Sequence, residues 1–87
     1  MTKLADLLLG IPSFADPNTR NTMLDMLEPA VRNSVIRHPS PRIETLNIVR
    51  TVLNYPNGLE SLLEAIRWIE ADSLPMRKLD DYVKSLR

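Results

Sequence analysis

The chain has 87 residues, and its eleven basic and eleven acidic side chains give a formal net charge of zero. A domain of this length buries only about 60% of the surface of its unfolded chain, so little core is left for a deep substrate cavity. The neutral charge gives no strong field toward nucleic acid or an anionic membrane, and the lack of cysteine excludes disulfides and thiolate metal sites. No apolar run approaches the roughly 18 residues of a membrane span. We therefore expect one small cytoplasmic binding domain over residues 1–87, without a nucleic acid or membrane partner.

Prolines and glycines divide the sequence into six segments in which apolar residues recur at helical spacing. The first helix is predicted over residues 2–9, with Thr2 as its N-cap and Gly10 in the left-handed conformation that closes a helix. The second begins within residues 16–18, where a proline suits the first helical turn, and it stops or kinks at Pro29.

A proline-rich loop at residues 38–41 separates the third helix from the fourth. The third is predicted over residues 29–37, because the residue before a proline disfavours the helical conformation. The fourth is predicted over residues 41–54, with one apolar and one polar face. The side chains expected to turn toward water are Glu44, Asn47 and Thr51.

The turn Tyr55-Pro56-Asn57-Gly58 ends the fourth helix, because Pro56 disfavours the helical conformation of Tyr55. Asn57 or Gly58 can be the N-cap of a fifth helix over residues 58–71. A sixth helix is predicted from Ser73, which is a good N-cap, to the C-terminus.

Each segment from the second onward carries an apolar stripe that is expected to face one shared core. The stripes are Met23, Leu24 and Leu27; Val31, Val35 and Ile36; Ile43, Leu46, Val49, Val52 and Leu53; Leu59, Leu62, Leu63, Ile66 and Ile69; and Met76, Leu79, Val83 and Leu86. Isolated helices below about 12–15 residues are marginal in water, so these helices need that core. We predict an all-α fold, a compact antiparallel bundle of about six short helices. The death-like fold packs six short helices with tight turns into a domain of this length, although other small helical bundles fit the pattern equally well.

The residues that resemble a known family are mostly apolar helix positions and turns, and they occur in the same order along the chain. The set is Leu7-Leu8, Ile11-Pro12-Ser13-Phe14, Asp16-Pro17, Arg20, Leu24, Leu27, Arg37, Arg42, Tyr55-Pro56-Asn57-Gly58-Leu59, Leu62-Leu63, Ile66 and Ile69-Glu70. Over nearly the entire chain it resembles the bacterial effector-associated domain of the second type, which belongs to the death-like superfamily. Asn57 stands where a second glycine is expected in that family, and Ala71-Asp72 stands where a glycine-containing turn is more typical.

The resemblance implies an adaptor rather than an enzyme. Such domains belong to bacterial conflict, immunity and signalling proteins and join like with like. The expected partner is another copy of the same domain type, fused to an effector such as a protease, a TIR-type domain or a nucleotide-driven oligomerising module. Homo-oligomers are a further expectation.

Charge is segregated along the neutral chain. Between residues 29 and 42 the sequence has no acid and contains a basic face, which we define as Arg32, Arg37 and Arg42. Between residues 57 and 72 only one arginine accompanies an acidic face, which we define as Glu60, Glu64, Glu70 and Asp72. A head-to-tail contact between copies can pair these faces and would propagate into rings or helices. The simpler interpretation is that both are solvated helix surfaces.

Trp68 is the only tryptophan, and helical spacing places it nearly opposite Leu62 and Ile66. The simpler interpretation is that the fifth helix is buried on two sides, so that Trp68 packs under a neighbouring helix. The alternative is an exposed interface anchor, since tryptophan is enriched at interaction hot spots.

We predict no catalytic, cofactor-binding or metal site and no cofactor. His38 is the only histidine, so a metal site would need carboxylates for its other ligands. Ser34 and Ser40 lie near His38 in sequence, but sequence neighbours alone do not form a triad. With only Gly10 and Gly58, the chain lacks a glycine-rich phosphate loop.

Two other functions remain open at this stage. A helix-turn-helix regulator would place Arg37, Arg42 and Arg50 on phosphates, although the fourth helix offers few exposed basic or amide side chains to read a groove. A small antitoxin or inhibitory partner would bind a dissimilar protein and would not self-associate.

Overall fold

A computed structural model describes residues 2–71 and 73–86, and within these ranges the chain forms seven α-helices and no β-strand. The helices are α1 (Thr2–Leu9), α2 (Pro12–Ala15), α3 (Pro17–Asp25), α4 (Pro29–Ser34), α5 (Pro41–Leu53), α6 (Gly58–Glu70) and α7 (Leu74–Ser85). The predicted all-α bundle is therefore confirmed. Three of the helix starts are capped by side chains, because Asp16, Ser40 and Ser73 each accept a hydrogen bond from a backbone N–H in the first turn.

The helix α2 is the element that the sequence did not predict, so the expected count of six was too low by one. Pro12 occupies its first position, and Phe14 is fully buried. A single turn contains too few residues to show a helical period, and this segment therefore looks like a connection in the sequence.

The helix α6 lies at the centre of the bundle and packs against α2, α3, α5 and α7. Leu62, Leu63 and Ile66 on α6 are buried, as predicted. The other largest fully buried apolar side chains are Leu8, Ile11, Phe14, Met23, Ile48, Val49, Val52, Met76 and Leu79. Because they come from α1, α2, α3, α5, α7 and one connection, one shared core holds these short helices together.

The predicted orientation of α5 is wrong at several positions. Ile43 and Leu53 are 44% and 51% exposed, whereas Glu44 is only 3% exposed. Ile48, which was not assigned to the stripe, is fully buried. The helix is rotated from the expected phase because two arginines pair with Glu44 inside the bundle, which allows a carboxylate to occupy a core position.

The predicted ends of two apolar stripes are also wrong. The helix α4 ends at Ser34 rather than at residue 37, and Val35 adopts an extended conformation. In extended chain neighbouring side chains point to opposite sides, so Val35 is buried and Ile36 is 73% exposed. Leu86, beyond the end of α7, is 58% exposed.

Backbone conformation at two turns bears on the family resemblance. Gly10 closes α1 through hydrogen bonds to the Asp6 and Leu7 carbonyls without a positive φ, so the left-handed conformation predicted there is wrong. Positive φ occurs instead at Asn57 (58°) and Ala71 (55°). These are the two places where the family pattern favours glycine, which adopts positive φ without steric strain.

Gly58 is required by a close approach between α5 and α6. A Cβ atom at this position would lie 2.1 Å from the carbonyl oxygen of Val52. Asn57 is the N-cap of α6, although its side chain makes no capping hydrogen bond. The turn therefore depends on backbone geometry at these two residues more than on side-chain capping.

Candidate functional site

A buried ion-pair network joins α2, α3, α5 and the loop after α4. The Glu44 carboxylate accepts hydrogen bonds from Arg20 Nε and Arg37 Nε, each at 2.8 Å, and from the His38 backbone N–H at 3.0 Å. Arg20 also donates from Nη1 to two carbonyl oxygens at the end of α2, at 2.9 and 3.3 Å. The network therefore fixes α2 and residues 37–38 to the bundle.

The charge of Glu44 is maintained by its partners. Burial alone would raise the pKa of Glu44, but the hydrogen bonds from Arg37, Arg20 and the His38 N–H outweigh it and lower the pKa from 4.5 to about 2. The Arg37 side chain remains 50% exposed. Since two arginines surround one carboxylate, the network has one excess positive charge, and Arg37 places it toward solvent.

The residues of the basic face make three separate contacts. Arg37 belongs to the network just described, and Arg42 forms a 2.8 Å ion pair with Asp6 on α1. Arg32 donates to the carbonyl oxygen of Asp25, at the end of α3, at 3.3 Å. The structure therefore does not present the three arginines as one cluster of unpaired charge.

The residues of the acidic face also differ in their surroundings. Glu70 accepts hydrogen bonds from the Ser13 hydroxyl and, at 3.1 Å, from the Ser13 N–H. The Ser13 hydroxyl lowers the pKa of Glu70 against the opposing effect of burial. Glu60 and Glu64 are exposed on α6, and Asp72 lies outside the described residues. Glu70 therefore holds α2 against α6, and Glu60 and Glu64 are the described members of the acidic face that are exposed.

Trp68 is 81% exposed, so the interpretation that it packs under a neighbouring helix is wrong. Its ring borders a shallow depression of about 220 Å³, which we call the tryptophan groove. The groove is lined by Met26, Glu28, Ser61, Glu64, Ala65 and Trp68. Met26 is 46% exposed, so Met26 and Trp68 offer apolar surface beside two carboxylates. Sequence spacing left Met26 out of the apolar stripe, and it could not show that Met26 and Trp68 line one groove, because the two residues are distant in sequence.

A second apolar surface lies on α5 and the loop before it. Asn47 Nδ2 donates to the Ile36 carbonyl oxygen at 2.9 Å, which places the loop beside the middle of α5. Ile43 and Arg50 lie one turn on either side of Asn47 on the same helix face, and both are exposed. We define Ile36, Ile43 and Arg50 as the isoleucine ridge. Sequence spacing missed it because both isoleucines were assigned to the core.

His38 and the nearby serines make local structural contacts. His38 Nδ1 accepts a hydrogen bond from the Ser40 N–H at 2.9 Å. The Ser34 hydroxyl lies 2.7 Å from the Tyr55 hydroxyl and donates to the Ala30 carbonyl at 2.7 Å. Across residues 2–71 and 73–86, no three histidine or acidic side chains are grouped to hold a metal ion, and no helix is long and apolar enough to cross a membrane.

The family model described as Effector-associated domain 2 matches residues 5–84, which is nearly the whole chain. The chain belongs to the effector-associated domain 2 family. No curated protein and no solved structure matches the chain significantly.

Membership of this family confirms the resemblance found in the sequence. The matched range begins within α1 and ends within α7, so it includes both the tryptophan groove and the isoleucine ridge of this effector-associated domain. As the family description states, such a domain is a module associated with effectors.

Proposed function

We propose that this effector-associated domain is a non-catalytic adaptor that recruits or assembles bacterial conflict and signalling effectors through contacts with another copy of its own domain type. The match of an effector-associated family over residues 5–84 is the observation that carries this proposal. The partner copy would be fused to the effector, and chemistry would reside in that effector. The proposal needs no cofactor, nucleic acid or membrane.

The exposed apolar side chains support a binding role. Trp68, Ile36 and Met26 are 81%, 73% and 46% exposed. Exposed apolar patches rimmed by polar groups commonly mark interaction sites, and tryptophan is among the residues most enriched at their hot spots.

Charge on the same surfaces supports recognition between copies. Glu64 makes no ion pair with any described residue, so its charge is available to a partner. Arg37 is a poor probe of the basic face, because a reversed charge there would face the Glu44 carboxylate and disturb the fold. Arg42 likewise carries the Asp6 ion pair.

Sedimentation velocity over a range of protein and salt concentrations tests the proposal. We expect reversible self-association that weakens as salt rises, because exposed charges are screened over about 8–10 Å. Glu64→Lys should weaken self-association, and Asp81→Lys on α7 is the matched control, since Asp81 is also exposed and makes no ion pair with a described residue.

Two results would contradict the adaptor proposal. One is a monomer at every concentration that also fails to capture an immobilised second copy of the domain. The other is a monomer that binds a dissimilar protein instead, which is the behaviour of an inhibitory partner. Binding to duplex DNA at low salt would favour the helix-turn-helix alternative, although Arg37 and Arg42 already pair with carboxylates within the chain.

A further inference from the structure

The tryptophan groove is an apolar surface with an acidic rim. Trp68 and Met26 supply the exposed apolar area, and Ala65, which is 3% exposed, lies against the groove. Glu28 and Glu64 line the same groove, and neither forms an ion pair with a described residue. A partner that buries this groove must therefore bring an apolar side chain together with positive charge.

The isoleucine ridge has the complementary chemistry. Ile36 is 73% exposed, more than any other large aliphatic side chain among those described, and Ile43 is 44% exposed. Arg50 lies on the same face of α5 and makes no ion pair within the described ranges. Arg37, next to Ile36 in the chain, contributes the excess positive charge of its network with Arg20 and Glu44. The ridge thus presents exposed isoleucine side chains with arginines beside them.

We infer that the tryptophan groove of one copy receives the isoleucine ridge of a second copy. Ile36 contacts Trp68 and Met26 in this arrangement, while Arg50 faces Glu64 across the interface. This inference rests on the proposed adaptor function and identifies the two surfaces through which it acts. The groove and the ridge share no residue, so a single groove-to-ridge contact leaves a free ridge on one copy and a free groove on the other, and such a heterologous contact can repeat head to tail.

Charge and hydrophobicity together indicate that the partner of the groove is a second copy of the chain. Charged rims steer partners and reject unlike ones, whereas buried apolar anchors supply most of the affinity. No cation is among the described residues that line the groove, and no acid is part of the ridge, so neither surface is complementary to itself. An isologous dimer that pairs groove with groove would bring Glu28 and Glu64 of both copies together.

Single substitutions at each surface, followed by mixing, test the inference. Trp68→Ser removes the groove anchor and Ile36→Ser removes the ridge, and both positions are exposed enough that helicity should not change. Each variant alone should lose at least about tenfold in self-association affinity, as expected for a hot-spot side chain. An equimolar mixture should form a one-to-one heterodimer and nothing larger, because each variant retains one intact surface.

Leu74→Ser is the matched control, since Leu74 is 65% exposed at the start of α7 and belongs to neither surface. It should associate as the wild type does. If the wild type associates and both surface variants associate equally well, the inference fails while the adaptor proposal stands. If both variants lose association but their mixture stays monomeric, the groove does not receive the ridge. A wild type that is monomeric throughout overturns the homotypic function as well.

Discussion

The ionisation of the buried Glu44 carboxylate makes the stability of the protein depend on pH. Its pKa in the folded state is about 2, below the 4.5 of an ordinary glutamate, because hydrogen bonds from Arg37, Arg20 and the His38 N–H outweigh the effect of burial. A carboxylate whose pKa is lowered by folding stabilises the fold above its unfolded pKa and loses that contribution as pH falls toward its folded pKa. The stabilisation is therefore complete at neutral pH and declines between about pH 5 and pH 2.

We predict that Glu44→Gln destabilises the protein by about 3–5 kcal/mol at pH 7, because it leaves the buried Arg20 guanidinium without a counter-charge. Urea unfolding followed by circular dichroism measures the loss. The variant should also lose less stability than the wild type between pH 5 and pH 2, since about 3 kcal/mol of the wild-type stability titrates with this one group over that range.

Asp81→Asn is the control for the Glu44 substitution, because Asp81 is exposed, lies outside both surfaces and forms no ion pair within the described ranges. Its effect should stay within about 0.5 kcal/mol at every pH. If Glu44→Gln leaves the pH dependence of unfolding unchanged, the carboxylate is not charged in the folded state and the network is misassigned.

Ala71 is the residue at which the backbone conflicts most directly with its side chain. Its φ of 55° and ψ of −128° form a combination that glycine adopts readily and that costs other residues about 1–3 kcal/mol. We predict that Ala71→Gly stabilises the protein by about 1 kcal/mol, as measured by urea unfolding. Ala30→Gly within α4 is the control and should lower the free energy of unfolding. If both substitutions destabilise the protein, Ala71 is not strained.

At the scale of elements, the turn between α5 and α6 determines how the central helix is joined to its neighbour. We predict that Gly58→Ala costs about 2–3 kcal/mol, because the added Cβ would lie 2.1 Å from a backbone oxygen that cannot rotate away. Gly10→Ala is the matched control, since its nearest contact is 3.3 Å and its φ is not positive. Thermal unfolding measures both effects. A larger decrease in unfolding temperature for Gly10→Ala than for Gly58→Ala would contradict the prediction.

Helix boundaries could be predicted from the sequence where they depend on neighbouring residues, such as helix caps and prolines. Ser73 and Pro75 begin α7, and the turn from Tyr55 to Gly58 separates α5 from α6, because caps and prolines act on neighbouring backbone groups. The family resemblance followed from the same turns together with apolar spacing.

The surfaces could not be predicted in the same way, because they depend on distant partners. Glu44 is buried only because Arg20, 24 residues earlier, reaches it, and this pairing rotates α5 and exposes Ile43. Trp68 is exposed because no described helix covers that side of α6, which helical spacing alone does not reveal. Ile36 and Ile43 were therefore assigned to the core, and a packed and an exposed position of Trp68 both stayed open, because the sequence carries no tertiary information.

At the scale of the whole molecule, a net charge of zero conceals an asymmetric surface. The groove carries carboxylates that form no ion pair with a described residue, and the ridge carries such an arginine and lies next to the excess charge of the Glu44 network. A neutral molecule with one acidic and one basic binding surface is not repelled by its own copies, and it can join them head to tail. Assembly would then be limited by the affinity of each contact rather than by closure of a dimer.

A charge exchange between the two surfaces tests this polarity at the level of the assembly. We predict that Glu64→Lys alone and Arg50→Glu alone each weaken self-association, because each change places like charges across the contact. Mixing the two variants should restore it, since the altered groove then meets the altered ridge and the unaltered groove meets the unaltered ridge. Both contacts are attractive in the mixture, so it should grow beyond a heterodimer, unlike the mixture of Trp68→Ser and Ile36→Ser.

Sedimentation velocity of the single variants and of the mixture at low and high salt measures this recovery. The rescue should diminish as salt rises, because it depends on exposed charges alone, while the apolar contact of Ile36 with Trp68 persists in every sample. The double variant with Arg50→Glu and Asp81→Lys in one chain is the control and should show no recovery, since it restores the net charge while Asp81 lies on α7 outside both surfaces. Recovery in that control would mean that bulk charge, and not the pairing of groove with ridge, governs association; this would leave the apolar anchors without a defined partner.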